Sequence, residues 1–316
     1  MDGKFTISRG SRREVHVVVA CIHDAAGFLG RGECVPYPRY GQSVPGVVAE
    51  LEECAPRIAV GLEREALQGL LPAGPARNAL DCALWDLEAK RSGVRVWQRA
   101  GLAEPRELET AYTISLDTPE VMAEAAGRAR ARPLLKVKLG AAEGDAERIV
   151  AVREAAPDAR LVVDANEGWN ERVLLELVPK LARLGVLLVE QPLPAAEDAC
   201  LAGLDLPVPL CADESCHDRA GLAELRERYA FVNLKLDKTG GLSEALRFAV
   251  AAKALEFEVM LGCMVGTSLS MAPATLLGGF ATFVDLDGPL LLARDRKPGL
   301  HYASSTISPP DPELWG

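Results

Sequence analysis

Charged residues recur near the carboxyl ends of short apolar runs: Lys136 and Lys138 in LLKVKLG, Asp164 in LVVDAN, Glu190 in LLVEQP, Asp213 in LCADES and Lys235 in VNLKLD. The steps from Lys138 onward are 26, 26, 23 and 22 residues, each the length of one strand-plus-helix unit. A buried charge is costly unless paired or bound to metal, so charges embedded at one phase of a repeat imply a common meeting place. Asp164, Glu190 and Asp213 form an all-oxygen set without His or Cys, which suits a hard cation such as Mg2+ with positions left open for water or substrate. Zinc would ask for nitrogen or sulfur ligands. A salt-bridge network between the acids and the lysines is the competing reading.

Lysine removes a proton from carbon only when its pKa falls, and a neighbouring cation lowers it by disfavouring the ammonium. Lys136 and Lys138 point the same way along a strand, so Lys136 beside a divalent ion would activate Lys138. Lys235 falls on a strand nearly opposite. Two opposed bases can take a proton from one face of a carbon and return it to the other, which inverts a stereocentre. The same period sets Asp285 and Asp287 on one face of the last apolar run.

These side chains need a scaffold that brings successive strand ends to one rim. From Thr110 the chain alternates short apolar runs with amphipathic helical stretches, the pattern of βα units around a parallel sheet. Strands are expected at 110–116, 134–139, 160–165, 186–191, 208–212, 231–236, 258–262 and 282–286. An open doubly wound sheet would have the same spacing, but the convergence of charges favours a barrel, whose strand ends share one rim. Ahead of it, β-rich runs at 14–22 and 28–35 flank the turn His23 to Gly27. A Pro-rich loop, 36–45, leads into helices. Pro75 opens a segment with Ala79, Leu80, Ala83, Leu84 and Leu87 at helical spacing, and Gly93 offers a stop. This makes a small α+β unit of about a hundred residues.

With 316 residues, 49% hydrophobic and 25% charged, the chain has the composition of a globular protein of two domains. Its formal charge of −10 argues against a sequence-independent grip on nucleic acid or an anionic membrane; an anionic substrate would need locally placed cations. The eight cysteines contain no C-x-x-C pair and read as buried thiols of a reducing, cytoplasmic protein. No apolar stretch has the length of a membrane span, and residues 1–13 lack the apolar core of a secretory signal.

The motifs K-V-K at 136–138, D-A-N at 164–166, E-Q-P at 190–192, A-D-E-S at 212–215, N-L-K-L-D-K-T-G-G at 233–241, G-C-M at 262–264 and D-L-D-G at 285–288 resemble the dipeptide epimerases of the muconate-lactonizing subgroup of the enolase superfamily. R-G-S-R at 9–12, G-E-C-V-P-Y-P-R-Y-G at 32–41 and the run 71–87 are similar to bacterial L-Ala-D/L-Glu epimerases. The resemblance implies a modified (β/α)7β TIM-like barrel, 109–289, with an α+β capping domain, 1–108, completed by 290–316. It implies one Mg2+ per subunit on Asp164, Glu190 and Asp213, with Lys138 and Lys235 as paired acid/base residues and Lys136 assisting. The implied reaction interconverts L-Ala-L-Glu and L-Ala-D-Glu through an enediolate, with a place in cell-wall peptide metabolism. Asp285 and Asp287 match the pair that holds the dipeptide's ammonium, although an acidic turn would also explain them. Arg12 matches the arginine that takes the glutamate side chain, against an ordinary exposed arginine. Thr113 and Cys263 fall at substrate-binding positions. Tyr37, Arg39 and Tyr40 belong to a capping loop.

Relatives carry a further strand ahead of R-G-S-R, and Met1 stands eight residues before Arg9; either a truncated start or a cap sheet one strand short is expected. The resemblance admits a homo-oligomer, without identifying an interface. Epimerases of other dipeptides, o-succinylbenzoate synthases and cycloisomerases share the metal site and lysines, and the D-L-D-G pair argues against the last two. An inactive, metal-stabilised binding protein is the reading from another class, and the intact Lys138 and Lys235 oppose it.

Overall fold

A computed structural model describes residues 1, 3–141 and 143–316. The chain opens with a small antiparallel pair, β1 (Phe5–Ile7) and β2 (Gly10–Arg12), and continues with the hairpin β3 (Val18–His23) and β4 (Leu29–Cys34). Both hairpin strands begin and end within a few residues of the apolar alternation in the sequence. Helices α1 (Val44–Ala59), α2 (Arg64–Leu70) and α3 (Pro75–Ser92) follow. Pro75 occupies the first turn of α3, where its missing N–H has no helical partner anyway, and Gly93 ends the helix at φ 67°.

Helix α3 is buried on two faces, which explains its mostly small and apolar sequence. Ala76, Ala79, Leu80, Ala83, Leu84 and Leu87 face the hairpin and α1, whereas Cys82, Trp85 and Ala89 join the core of the barrel unit. Gly32 lets β4 lie directly on α3: a Cβ there would stand 2.1 Å from the carbonyl oxygen of Ala79.

After α4 (Val96–Arg99) and β5 (Leu108–Glu109) come eight parallel strands in chain order: β6 (Tyr112–Ile114), β7 (Leu134–Lys138), β8 (Arg160–Asp164), β9 (Val186–Glu190), β10 (Leu210–Ala212), β11 (Phe231–Leu234), β12 (Glu258–Leu261) and β13 (Phe283–Val284). Ala111 N–H donates to Val284 O at 2.8 Å, joining last strand to first. All eight expected strands are present, each trimmed at one end or both. The outer layer is α5 (Pro119–Arg128), α6 (Asp145–Ala155), α7 (Glu171–Arg183), α8 (Leu222–Leu225), α9 (Leu236–Thr239), α10 (Leu242–Ala254) and α11 (Ser268–Thr275), with only a 3-10 turn, Asp198–Leu201, between β9 and β10.

One layer fills the floor of the barrel with a residue from each of the eight strand positions: Ala111, Leu134, Val162, Leu188, Cys211, Phe231, Met260 and Phe283. Side chains alternate along a strand, so the residues two further on, Thr113, Lys136, Asp164, Glu190, Asp213, Asn233, Gly262 and Asp285, form the next inward layer. The rim chemistry is the polar layer directly above an apolar plug.

The C-terminal segment forms β14 (Tyr302–Ala303) and β15 (Thr306–Ile307), the latter pairing with β5, and then returns to α3, where Trp315 Nε1 donates to Cys82 O at 3.0 Å. All eight cysteines are unpaired. Five are buried as expected, but Cys21 and Cys200 are exposed and Cys263 is half-buried, because they fall on an outward strand position, a surface turn and a cavity wall. Among the described residues no helix is long and apolar enough to cross a membrane.

Candidate active site

Lys138 ends β7 and Lys235 follows β11, four places apart in a ring of eight, so they stand about half-way round from one another. Both line one cavity of about 100 Å³ at the barrel mouth, together with Asp213, Cys263, Arg12 and Tyr37. Lys136, Asp164, Glu190, Asp285 and Asp287 are buried and do not line it. Thr113 borders a neighbouring pocket and donates its backbone N–H to Asp287 Oδ2 at 2.7 Å.

Each of the three candidate ligands holds a lysine ammonium: Lys138 Nζ is 2.6 Å from Asp164 Oδ2, Lys136 Nζ 2.6 Å from Glu190 Oε2, and Lys235 Nζ 2.7 Å from Asp213 Oδ2. Lys136 also reaches Asp164 at 3.1 Å and Asp285 at 2.7 Å. The acids are thus drawn onto the ammonium groups, and among the described residues no group of three or more His, Cys, Asp and Glu is gathered as a metal cage.

Two of the lysines, Lys136 and Lys235, are shifted upward. Burial alone would lower them, but the carboxylates of Asp285, Glu190 and Asp164 raise Lys136 well above its ordinary value, and those of Asp213 and Glu190 do the same to Lys235.

The site nonetheless fits a hard cation. Burial and then the charge of Asp164 push Glu190 up to about 7, the mark of carboxylates crowded beyond their supply of positive charge. Five buried oxygens at this rim, Glu190 Oε2, Asp285 Oδ1, Asn166 Oδ1, Asn233 Oδ1 and Glu214 Oε2, lack a hydrogen-bond partner. Glu190 Oε2 does touch Lys136 as an ion pair, but outside hydrogen-bonding geometry. Three acids from consecutive strands, the middle one with an oxygen left without a hydrogen-bond partner, make an all-oxygen donor set for Mg2+.

Several supporting residues went unassigned in the sequence. Gln191 Oε1 accepts from the backbone N–H groups of Asp213 and Ser215 at 2.9 and 3.0 Å, which fixes the loop carrying Asp213. Asn233 Nδ2 donates to Glu190 Oε1 at 2.7 Å, and Gly262 leaves room for it, since a Cβ there would meet Asn233 Oδ1 at 2.4 Å. Lys238 Nζ donates to both Asp213 O and Asp213 Oδ1 at 2.7 Å. Arg9 pairs with Glu214 at 2.7 Å and Glu167 at 3.1 Å. The signal for Asn233 and Gly262 was their place two residues beyond a floor residue; Gln191 and Lys238 lay inside quoted motifs without a phase to mark them.

The molecule is a capped parallel barrel whose mouth gathers carboxylates from three consecutive strands between two lysines, the architecture of a TIM-like barrel with a capping domain. Residues 2–101 match the mandelate racemase/muconate lactonizing enzyme N-terminal domain, and 120–311 the enolase C-terminal domain-like family. The chain belongs to the enolase superfamily. It is 49% identical over 306 residues to the L-Ala-D/L-Glu epimerase of Escherichia coli K12, covering 96% of this chain and 94% of that protein. It is 46% identical to an N-acetyl-D-glutamate racemase of a Pseudoalteromonas species, covering 95% of each. An enolase family member from Agrobacterium tumefaciens with homology to dipeptide epimerases, solved with bound sodium and L-Ala-L-Glu and an ordered loop, superimposes with a TM-score of 0.97 at 54% identity, covering 99% of this chain and 96% of that one.

Proposed function

We propose that the protein is an isomerase, a dipeptide epimerase that inverts the C-terminal residue of L-Ala-L-Glu and L-Ala-D-Glu. The observation that carries this reading is the placement of Lys138 and Lys235 half-way round the ring on one cavity, with the three carboxylates between them. One lysine takes the α-proton as the free amine and the other, as the ammonium, returns a proton to the opposite face. Asp164, Glu190 and Asp213 would hold Mg2+, which when bound supplies positive charge to the substrate carboxylate as its α-carbon is deprotonated. Lys136, buried among Asp164, Glu190 and Asp285, adds fixed positive charge from below. Arg12 at the mouth offers a guanidinium to the glutamate side chain. Residues 1–108 with 290–316 act as the cap, a division supported by the return of Trp315 to α3.

The two named relatives act on substrates that share an N-acylated glutamate and differ in the dipeptide's ammonium. Asp285 and Asp287 favour the dipeptide. Burial and the charge of Asp285 push Asp287 up to about 7, and Asp285 Oδ1 is buried without a partner, so beyond the contact of Lys136 with Asp285 Oδ2 the pair has room for a second cation. N-acetylglutamate racemisation is the second reading, favoured by the Pseudoalteromonas relative.

The test is deuterium incorporation at Cα in D2O with Mg2+ over a panel of L-Ala-X dipeptides and N-acetyl-D-glutamate. Label entering L-Ala-L-Glu together with formation of its epimer is the expected result. Faster exchange of N-acetyl-D-glutamate would move the assignment to the second reading, and no exchange with either would overturn both.

A further inference from the structure

The mouth of the cavity contains a stacked arrangement that the reaction scheme leaves unused. Arg12 lies on the exposed strand β2, and its guanidinium carbon sits 5.0 Å from the centre of the Tyr37 ring. Among the described residues it forms no ion pair or hydrogen bond with another side chain. Tyr37, by contrast, is fixed from several sides. Its backbone N–H donates to Gln42 Oε1 at 2.9 Å, its hydroxyl accepts from Arg9 Nη2 at 3.1 Å, and its ring packs edge-on against Tyr40 with centroids 5.6 Å apart. Arg9 is in turn held by Glu214 and Glu167 of the barrel loops.

We propose that Tyr37 is a positioning residue: its ring face holds the Arg12 guanidinium over the cavity and so sets the preference for a carboxylate side chain, an inference that rests on the functional reading above. An arginine on a flexible stem loses rotamer freedom when it engages a carboxylate. A planar guanidinium already lying on an aromatic face has surrendered part of that freedom and keeps its in-plane N–H groups for the ligand. The anchor is a cap residue and the arginine belongs to the β1–β2 pair, so selectivity depends on two segments meeting at the mouth.

The experiment measures KM and kcat for L-Ala-L-Glu and for L-Ala-L-Met, of similar length and without charge, using the inhibition constant where turnover of the latter is too slow. Tyr37→Leu is expected to raise KM for the glutamate dipeptide about five-fold relative to the methionine dipeptide, the scale of a cation–π contact, with the change in KM rather than kcat. Tyr37→Phe keeps the ring and should keep the native ratio. Adding Tyr37→Leu to Arg12→Met should leave the ratio where Arg12→Met alone puts it. Equal losses on both dipeptides, a Phe variant that behaves as Leu does, or a Leu effect that persists without Arg12 would each overturn the inference alone. Wild-type protein inert toward L-Ala-L-Glu would overturn the functional reading, and this inference with it.

Discussion

The lysines at the barrel mouth sit in redundant ion pairs, and that redundancy separates their chemical role from their structural one. Removing Lys138 leaves Asp164 with Lys136 at 3.1 Å; removing Lys235 leaves Asp213 with Lys238 at 2.7 Å. A buried carboxylate stripped of every partner would be strongly destabilising, but neither truncation does that. Lys138→Ala and Lys235→Ala should therefore each lower epimerisation by about a thousand-fold, the scale of a lost general acid/base, while circular dichroism and the unfolding midpoint stay close to wild type. Full turnover by either variant would remove the two-base mechanism. The period of two along each strand made Lys136, Lys138, Asp164, Glu190 and Asp285 legible, since each follows an apolar floor residue at an even step. Arg9, Gln191 and Lys238 were not legible in the same way. They act through turns at 166–167, 191–193 and 235–240, where no periodicity predicts direction.

At the level of elements, the cap is fixed to the site through the segment that carries Lys235. Asp237 Oδ1, two residues beyond it on α9, accepts from Val35 N–H at 3.1 Å and from Asn78 Nδ2 at 2.9 Å. Arg77 of α3 donates to Thr239 O at 2.6 Å and Gly240 O at 3.2 Å. Helix α3 thus braces the strand end that carries Lys235 while packing on the hairpin behind it, and the close approach at Gly32 sets that spacing. In Gly32→Ala the new Cβ would lie 2.1 Å from Ala79 O and 2.8 Å from Ala83 N, both backbone atoms that no rotamer change can move. We expect a loss of about 2–3 kcal/mol, the upper part of the overpacking range, read as a lower denaturant midpoint at unchanged slope. An unchanged midpoint would show that hairpin and helix separate freely. The helix itself was legible from Pro75, Gly93 and the apolar spacing between them. That it is buried on two sides was not, because its second partner, α10 with Ser243, arrives about 160 residues later.

For the whole molecule, the net charge of −10 makes an anionic substrate dependent on the cations collected at one mouth, and the closure of that mouth is itself ionic. Glu167, on the loop after β8, accepts from Arg39 Nε and Nη2, each at 2.7 Å, and lies 3.1 Å from Arg9 Nη1. Burial would raise Glu167, but Arg39 and Arg9 hold it below its usual range. One carboxylate of the barrel therefore ties down the cap turn Pro38–Tyr40 and the residues between β1 and β2, the two segments that carry Tyr37 and Arg12 over the cavity. Ser8 Oγ reinforces the second tie by donating to Asn166 O at 2.8 Å. Because Arg39 is partly exposed, the latch is worth about 1 kcal/mol rather than the value of a fully buried pair. Glu167→Gln should then raise KM for L-Ala-L-Glu about five-fold, by the same conversion of free energy to population, with a smaller change in kcat. Amide hydrogen exchange should quicken in 8–12 and 36–42 while the floor of the barrel keeps its protection. High salt should narrow the difference between wild type and variant, since it screens the bridge in one and has little to screen in the other. Unaltered exchange in both segments would mean that apolar packing of the cap, and not this carboxylate, keeps the mouth closed.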